Sequence, residues 1–350
     1  MKILVTGGCG FIGSNFIRYL LKEHPDWRIV NLDKLTYAGN LKNLEGIEED
    51  SRYRFIRGDI ADRALVERLF SEERFDAVVN FAAESHVDRS LLDPSPFIET
   101  NVKGVQVLLE AARKYPVWRF VQISTDEVYG SLGPEGKFTE ESPLLPNSPY
   151  AASKAAADLL CRSYYKAYGI PVIITRSSNN YGPYQFPEKL IPLMIWNALN
   201  GRPLPIYGYG ENIRDWLYVE DNCRAIDLVL QRGRVGEVYN IGAGCERRNI
   251  EVVNMICRFL SEELKRSLED FMGLITFIKD PRGKAHDFRY ALDCQKIQRE
   301  TGWKPLVSLE EGLRRTVHWY LEHRDWLESV ITGEYLDYCE KFYSQQPRVF

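Results

Sequence analysis

The sequence lacks the cysteine patterns of a metal site or a disulfide framework, and it lacks long apolar runs. Its seven cysteines form no CxxC pair and have no histidine close in sequence, so we expect reduced thiols and no bound metal. No window approaches the ~18 apolar residues of a membrane-spanning helix, and the first apolar run is too short for a signal peptide. We therefore expect a soluble, cytoplasmic protein that does not enter a membrane.

An excess of one charge is also absent. The 45 lysines and arginines nearly balance the 49 aspartates and glutamates, which gives a formal net charge of −4. This balance attracts neither nucleic acid nor an anionic membrane, so we expect neither as a partner and expect local groups to hold any phosphate. The 350 residues, 45% of them hydrophobic, favour one large domain with a smaller one beside it.

Short β-branched runs alternate with longer amphipathic stretches through the first half of the chain. The runs predict strands at Lys2–Val5, Ile29–Asp33, Arg54–Arg57, Ala77–Phe81, Arg119–Ser124 and Val172–Arg176. The stretches predict crossover helices at Gly13–Lys22, Ala61–Glu72, Asn101–Tyr115 and Tyr150–Tyr168. This alternation is typical of an α/β fold with a doubly wound parallel (Rossmann) sheet.

The composition changes after Arg176, where Asn, Gly, Pro and Tyr become frequent. Residues 215–244 again resemble sheet material, with a predicted helix near Val219–Gln231 and a predicted strand at Glu237–Ile241. We therefore predict two interleaved domains. The larger comprises residues 1–178 plus about 213–244, and the smaller, C-terminal one comprises about 179–212 plus 245–350.

A glycine-rich turn joins the first predicted strand to the first predicted helix. Gly7, Gly10 and Gly13 are spaced for a sharp turn, a close pyrophosphate and tight helix packing, and the helix N-terminus offers N–H groups to phosphates. Asp33 ends the second strand about 20 residues later, where a carboxylate accepts hydrogen bonds from an adenosine ribose and repels a 2′-phosphate. The turn predicts a dinucleotide site that prefers NAD over NADP, although Lys34 weakens that preference.

Two further strand ends carry small or acidic residues that suit the same ligand. Asp59 and Ile60 follow the third strand, and Phe81, Ala82 and Ala83 follow the fourth. Asp59 is a candidate contact for the adenine amine, and the two alanines would let the cofactor lie against the backbone. Ordinary loop chemistry is the alternative interpretation of both segments.

Tyr150 and Lys154 are four residues apart on a predicted helix and therefore share one face. A neighbouring ammonium stabilises a phenolate and lowers its pKa from a reference of about 10, which makes Tyr150 a candidate general base. With Ser124 and Thr125 ending the preceding strand, this assembly resembles the extended short-chain dehydrogenase/reductase family. The resemblance implies that Thr125, Tyr150 and Lys154 activate a substrate hydroxyl while nicotinamide takes the hydride.

Asp126 and Glu127 follow Thr125 directly. Two adjacent carboxyl groups are costly if both are buried and ionised, so we expect one protonated acid and one charged base, unless the pair simply faces solvent. The tripeptide resembles that of the nucleoside-diphosphate-glucose 4,6-dehydratases, especially the dTDP-glucose enzymes. Segments 33–40, 83–90, 178–184, 187–192 and 214–221 agree, and the resemblance spans about residues 1–320. It implies C4 oxidation by bound NAD, C5 proton removal by Glu127, protonation of the departing hydroxyl by Asp126, and hydride return to C6.

The same resemblance implies an NAD-binding first domain, a nucleotide-sugar-binding second domain, and a homodimer formed through the helices near 101–115 and 150–168. It adds cofactor contacts to those named above: Phe11, Ile12, Thr36, Ser85, Thr100, Tyr150, Lys154 and Asn180. It also implies substrate contacts: Ser85, Thr125, Asn179, Lys189, Leu190, Pro205, Tyr207, Arg214, Asn249, His286, Arg289 and Tyr290.

One loop departs from the family pattern, and several alternatives stay open. The dTDP-glucose enzymes usually carry Arg-Pro-Gly-His-Asp where residues 280–287 here read DPRGKAHD, so thymidine against uridine is undecided. A UDP-glucose 4,6-dehydratase, a UDP-sugar 4-epimerase and a UDP-glucuronate decarboxylase would share NAD, Tyr150 and Lys154, although the last two need no Asp-Glu pair. A non-catalytic NAD-sensing regulator would be free to lose both residues. The stretch after about Trp326 has no assigned role.

Overall fold

The computed structural model describes residues 1–331, 335, 347 and 349. The strands are β1 Lys2–Thr6, β2 Arg28–Asp33, β3 Tyr53–Arg57, β4 Ala77–Asn80, β5 Arg119–Thr125, β6 Val172–Ser177, β7 Asn179–Tyr181, β8 Leu204–Tyr207, β9 Ile213–Tyr218, β10 Val238–Ile241, β11 Glu246–Arg248 and β12 Ile275–Ile278. The α-helices are α1 Phe11–Glu23, α2 Arg63–Glu73, α3 Val87–Leu92, α4 Ser95–Phe97, α5 Val105–Lys114, α6 Pro149–Tyr168, α7 Leu190–Leu199, α8 Val219–Arg232, α9 Asn249–Leu264, α10 Leu268–Met272, α11 Gln295–Thr301, α12 Leu309–Glu322 and α13 Arg324–Val330.

Seven strands form one parallel sheet in the order β10-β6-β5-β4-β1-β2-β3. Ile3, Leu4 and Val5 on β1 are all fully buried, because helices cover both faces and every side chain of a central strand therefore packs into a core. The strand order reverses between β1 and β4, which creates the switch point where such sheets bind ligands. The predicted doubly wound Rossmann sheet is confirmed.

Local sequence signals explain why the helix with the predicted Tyr–Lys pair forms where it does. Ser148 caps α6 by accepting a hydrogen bond from the Ala151 amide, and Pro149 occupies the first turn. Gly169 ends the helix in the left-handed conformation, with φ of +70°. These signals fix both ends of α6, whose buried residues pack on β5 and β6.

The helix predicted at Asn101–Tyr115 differs in form from the structure. Residues Ile98–Gly104 are π-helical, and the α-helix begins only at Val105. The Asn101 amide exchanges two hydrogen bonds with the backbone of Glu84, both of 2.9 Å, and donates a third to Ser153 Oγ. These contacts come from distant segments, so hydrophobic periodicity does not reveal the wider turn.

A second core lies outside the seven-stranded sheet. Strands β7, β9 and β11 form a three-stranded sheet, and β8 pairs with β12. Side chains such as Phe259, Leu313 and Tyr320 are fully buried against these strands. The chain reaches this core after β6 but returns to the large sheet at β10, within one residue of the predicted Glu237–Ile241. The exact domain boundaries stay a prediction.

The described part of the chain contains no membrane-spanning helix, no cluster of metal ligands and no disulfide. No helix within residues 1–331 is long and apolar enough to span a membrane. Among the described residues, no three His, Cys, Asp or Glu side chains come together as a metal site. Six cysteines are unpaired thiols, and Cys339 lies outside the described residues.

The cap of α6 gives a test of the fold. Gly169→Ala should lower the free energy of unfolding by about 1 kcal/mol, because alanine resists the left-handed conformation. Gly133→Ala is the matched control, since an added Cβ at either position meets no atom within 4 Å but only Gly169 has a positive φ. Equal stability of the two variants in chemical denaturation would contradict the capping role.

Candidate active site

A deep cleft opens at the carboxyl ends of the parallel strands. Its lining comes from the segments that follow β1 to β6, which meet at this edge because the strands are parallel. The cavity volume of about 310 Å³ lies at the lower end of the range for small-molecule sites. Groups far apart in sequence are therefore brought around one volume.

The glycine-rich turn forms one end of this cleft. A Cβ on Gly7 would lie 2.6 Å from the Ala82 nitrogen, and one on Gly13 would lie 2.4 Å from the Gly7 oxygen. A Cβ on Gly10 would approach only the Gly7 oxygen, at 3.3 Å. Helix α1 begins beside it with no side-chain cap and no acidic residue in its first turn. The turn thus leaves N–H groups for an anion such as pyrophosphate.

Asp33 is fixed by the same turn. Its carboxylate accepts hydrogen bonds of 2.8 Å from the amides of Cys9 and Leu35, while burial raises its pKa. The Lys34 ammonium pairs with the Asp59 carboxylate at 2.7 Å. Asp59 therefore offsets the positive charge that Lys34 would offer to the 2′-phosphate of NADP. The other oxygen of Asp59 accepts from the Ala61 amide. Asp59 is therefore engaged on both oxygens, and the preference for NAD rests on Asp33.

The structure brings every predicted cofactor residue to the lining of this cleft. These residues are Gly7, Gly10, Phe11, Ile12, Gly13, Asp33, Lys34, Thr36, Asp59, Ile60, Phe81, Ala82, Ala83, Ser85, Thr100, Tyr150, Lys154 and Asn180. Asn180 Oδ1 and Ser178 Oγ are buried there without a hydrogen-bond partner among the described residues. Such groups are the ones that a polar ligand satisfies.

Tyr150 and Lys154 both line the cleft, and burial is the largest influence on the pKa of each. Burial, followed by the charge of Glu127, raises the pKa of Tyr150, whereas a hydrogen bond with Thr125 lowers it. Lys154 Nζ donates to the Ile123 carbonyl at 2.6 Å, and burial lowers its own pKa to about 8. Burial is the largest influence on the pKa of Tyr150 in the protein without ligands. The effect expected of the Lys154 ammonium on the phenolate stays a prediction.

Asp126 and Glu127 occupy the short 3₁₀ turn Asp126–Tyr129 that follows β5. Burial and the charge of Glu127 raise the pKa of Asp126 well above its usual range. Thr125 Oγ1 donates to Asp126 Oδ1 at 3.2 Å, while Asp126 Oδ2 is buried without a partner in the described residues. Burial also raises the pKa of Glu127, but three cations oppose that shift: Arg282, Arg214 and Lys189. The pKa of both carboxyl groups is raised, but the larger rise makes Asp126 the more readily protonated of the two.

Four of the predicted substrate residues line the cleft, and the remainder lie beyond it. Ser85, Thr125, Asn179 and Lys189 belong to the lining. Lys189 Nζ donates to the Ser85 carbonyl at 2.9 Å. Absent from the lining are Leu190, Pro205, Tyr207, Arg214, Asn249, His286, Arg289 and Tyr290.

Several of these outer residues form a wall on the Glu127 side. The Arg214 guanidinium lies 4.4 Å from the centre of the Tyr290 ring, and the Tyr290 hydroxyl donates to Asp287 at 2.7 Å. His286 Nδ1 lies 2.6 Å from Asp280. The Asn249 amide oxygen is buried without a partner among the described side chains. Cations, flat rings and an unpaired amide are suited to a nucleoside diphosphate.

Arg289 is bonded to loops outside the lining of the cleft. Its Nε donates to Glu246 at 2.7 Å, and its Nη1 donates to the carbonyls of Gly133 and Gly136. These three contacts use three of its five N–H donors and leave those of Nη2 uncommitted. The substrate contact of Arg289 stays a prediction.

Arg282, Asp88 and Glu188 were not predicted individually. Asp88 is buried and accepts hydrogen bonds from Arg282 Nε at 2.5 Å and from the Tyr207 hydroxyl at 3.1 Å. Glu188 lines the cleft and accepts from Tyr37 and Arg89. Asp88 and Glu188 stand in segments that resemble the family, and Arg282 stands in the divergent loop. Family resemblance of those segments was the only sequence feature that could have pointed to these residues, because a single charged residue is usually solvated.

Known proteins share this fold and chain length. A family model described as GDP-mannose 4,6 dehydratase matches residues 4–316. The chain is 52% identical over 344 residues to the dTDP-glucose 4,6-dehydratase of Xanthomonas campestris pv. campestris, covering 95% of this chain and 96% of that protein. The dTDP-glucose 4,6-dehydratase of Bacillus anthracis, solved in complex with NAD, is 50% identical with a TM-score of 0.86, covering 94% of this chain and 99% of that one. The Streptomyces venezuelae enzyme, solved with NAD bound, is 50% identical with a TM-score of 0.87, covering 94% and 100%.

Two variants of the glycine turn should separate NAD binding from stability of the fold. Gly10→Ala should keep the free energy of unfolding within about 1 kcal/mol of the wild type, because an added Cβ meets only the Gly7 oxygen, at 3.3 Å. It should weaken NAD binding at least tenfold, because Gly10 lines the cleft where the backbone must approach the pyrophosphate. Gly13→Ala should destabilise the fold by about 1–3 kcal/mol, because its Cβ meets backbone. Calorimetric titration and chemical denaturation measure the two quantities. Wild-type NAD affinity in Gly10→Ala would exclude the turn as a pyrophosphate site.

Proposed function

Because this chain belongs to the GDP-mannose 4,6-dehydratase family of extended short-chain dehydrogenase/reductases, we propose that it is an NAD-dependent dTDP-glucose 4,6-dehydratase. It would convert dTDP-glucose into dTDP-4-keto-6-deoxyglucose and water. One observation carries the proposal: a single cleft holds a hydroxyl-oxidising pair, Tyr150 and Lys154, beside an acid–base pair, Asp126 and Glu127. An epimerase or a simple dehydrogenase has no use for the second pair.

The cleft suits NAD on the chemistry of its own residues. Unpaired N–H groups at the start of α1 would hold the pyrophosphate, and the Asp33 carboxylate would accept hydrogen bonds from the adenosine ribose. Ala82 and Ala83 leave the backbone accessible. When bound, NAD⁺ supplies the hydride acceptor for C4 and, once reduced, the hydride donor for C6.

Oxidation at C4 prepares the sugar for elimination. A C5 hydrogen of a hexose is too weakly acidic for a carboxylate to remove, whereas a C4 ketone delocalises the resulting charge as an enolate. Thr125 would hydrogen-bond O4 while Tyr150 takes the O4 proton, and the charged Lys154 would stabilise the developing phenolate. The hydrogen bond with Thr125, which lowers the pKa of Tyr150, supports this role.

Elimination then uses two carboxyl groups in opposite protonation states. Glu127 would take the C5 proton, since Arg282, Arg214 and Lys189 favour its ionised form. Asp126 would protonate the departing C6 hydroxyl, since burial and the Glu127 charge raise its pKa. A proton then returns to C5 as hydride reaches C6. The net change is loss of water, so no external reductant is consumed.

We also propose thymidine as the nucleoside. The relatives that are about half identical over nearly the whole chain are named as dTDP-glucose enzymes. The divergent loop still brings Arg282 to Asp88 and Tyr207, so its extra length does not remove the cation from this wall.

A homodimer is the assembly we propose. Leu92, Ile98 and Leu159 are 68%, 54% and 56% exposed, and they lie on α3, the π-helical segment and α6, which pack together. Ala152 on α6 is also exposed, seven residues before Leu159 and thus on the same face. An apolar patch of this kind on helices is typical of a subunit interface. Light scattering should give twice the mass of the 40.5 kDa chain.

The cytoplasm is the compartment we propose. The six thiols without a disulfide in the described residues suit a reducing environment, and most of them are buried.

The activity is tested by incubating purified protein separately with dTDP-glucose and UDP-glucose, without added NAD. We expect the 4-keto-6-deoxy product to form without added NAD, because the NAD that co-purifies with the protein is regenerated in each turnover. We expect the kcat/KM for dTDP-glucose to be at least tenfold above that for UDP-glucose. Reversed preference would correct the nucleoside to uridine. No product from either substrate, with NAD demonstrably bound, would exclude the dehydratase activity.

Glu127→Gln separates oxidation from elimination. The amide cannot accept the C5 proton, so water loss should fall by at least 100-fold, while C4 oxidation persists and reduced cofactor accumulates. Stopped-flow absorbance of the reduced nicotinamide, alongside product analysis, measures both steps. The assignment of Glu127 as the base fails if the variant releases water at the wild-type rate.

A further inference from the structure

A buried polar network lies behind the cleft and outside its lining. Arg176, near the end of β6, is only 5% exposed. Its Nε donates to Asp158 Oδ2 at 2.9 Å, and its Nη1 donates to the Tyr129 hydroxyl at 2.9 Å. That hydroxyl donates in turn to Asn240 Oδ1 on β10 at 2.7 Å. None of these four residues lines the cleft, so none is placed to contact substrate.

The network joins the two chemically distinct halves of the site. Asp158 lies on α6, four residues after Lys154 and eight after Tyr150, and therefore shares their helix face. Tyr129 is the last residue of the turn that carries Asp126 and Glu127. Arg176 thus hydrogen-bonds to the helix of the oxidising pair and to the turn of the eliminating pair.

The turn is fixed through Tyr129 from several directions. Its ring stacks on Phe138 at 4.9 Å with an interplanar angle of 18°, and the Arg176 guanidinium lies 4.8 Å from the ring centre. The Asn240 side chain accepts a hydrogen bond from the Tyr129 hydroxyl and donates one to the Phe138 carbonyl. Strand β6 also pairs Arg176 directly with Ser124, the residue before Thr125. Movement of Arg176 would therefore be transmitted to the base of the turn.

Stability alone is a weak explanation of this arrangement. A buried Arg–Asp pair loses hydration that its mutual attraction barely recovers, and well-packed apolar residues often stabilise a core as well. An arginine with two different partners does something that an apolar side chain does not, because directional hydrogen bonds set the angle and distance between the elements they join.

We propose that Arg176 is a positioning residue, held by Asp158 and Tyr129, that fixes the eliminating pair Asp126–Glu127 relative to the oxidising pair Tyr150–Lys154. The inference rests on the proposed function, in which both pairs act on neighbouring atoms of one sugar ring. Displacement of about 1 Å at a reacting group can slow a step by ~100-fold. Rigid registration of the two pairs lets water loss follow C4 oxidation before the oxidised sugar escapes.

The test uses two variants that keep the buried charge balance. Tyr129→Phe removes only the hydroxyl that links Arg176 to Asn240, and Arg176→Lys keeps the cation but loses the planar fork. Asp158 is left intact, because its carboxylate opposes the burial that lowers the pKa of Lys154 and would alter the oxidising pair directly. Either variant suffices if the other does not fold.

In the NAD-bound enzyme, we expect both variants to oxidise C4 within about threefold of the wild-type rate and to lose water at least tenfold more slowly. Reduced cofactor should therefore accumulate, and KM for dTDP-glucose should stay within about twofold. Hydrogen exchange followed by mass spectrometry should show faster exchange in residues 124–130 than in the wild type, with or without substrate.

The matched control is Asp227→Asn. Asp227 and His24 form another part-buried pair, with a 3.0 Å contact between α8 and the end of α1. This variant should lose stability without changing the ratio of water loss to oxidation. An unchanged ratio in Tyr129→Phe or Arg176→Lys, or equal slowing of both steps, would overturn the positioning role. If the wild type forms no product, the proposed function fails, whereas the hydrogen-exchange comparison still decides whether Arg176 and Tyr129 hold the turn.

Discussion

Burial of charge at the carboxyl edge of the sheet is the constraint on which the rest of this site depends. Asp126, Lys154 and Arg176 are each 5% exposed or less, and a buried ion persists only where partners or a changed protonation state replace its hydration. Lys154 has a strand carbonyl, and Arg176 has Asp158 and a phenol hydroxyl. Asp126 has an oxygen without such a partner, and its pKa rises instead. The protonation states that the proposed reaction needs are thus consequences of how the chain folds around these groups.

Much of the fold is readable from sequence because it rests on local patterns. The apolar runs that become the inner strands β1, β4, β5 and β6 are buried almost throughout. Ser148 and Gly169 mark the ends of α6 within the chain itself. The return at β10 was visible as another short apolar run. The π-helical segment around Asn101 was not, because it depends on hydrogen bonds to Glu84 that arise only in the folded chain.

The cofactor side of the site could be predicted from sequence more fully than the substrate side. The cofactor side follows strand ends and a glycine turn, so spacing could indicate Gly7, Gly10, Gly13 and Asp33. Resemblance to the family supplied the other cofactor residues, such as Thr36 and Thr100. The substrate side is assembled from the second core, where distances in sequence say little about distances in space. Arg289 bonds to Glu246 and to the loop at Gly133, and Arg282 reaches Asp88 across 194 residues of chain. Spacing placed Lys154 on the same helix face as Tyr150, but it could not show that burial is the largest influence on the pKa of Tyr150.

A site with an oxidising pair beside an eliminating pair allows the hydride removed from C4 to be returned to C6 within one turnover. That internal return is the central claim, and isotopic labelling tests it directly. With dTDP-glucose carrying deuterium at C4, the account predicts product with deuterium at C6 and none at C4. Product without deuterium at C6 would contradict the internal return of the hydride.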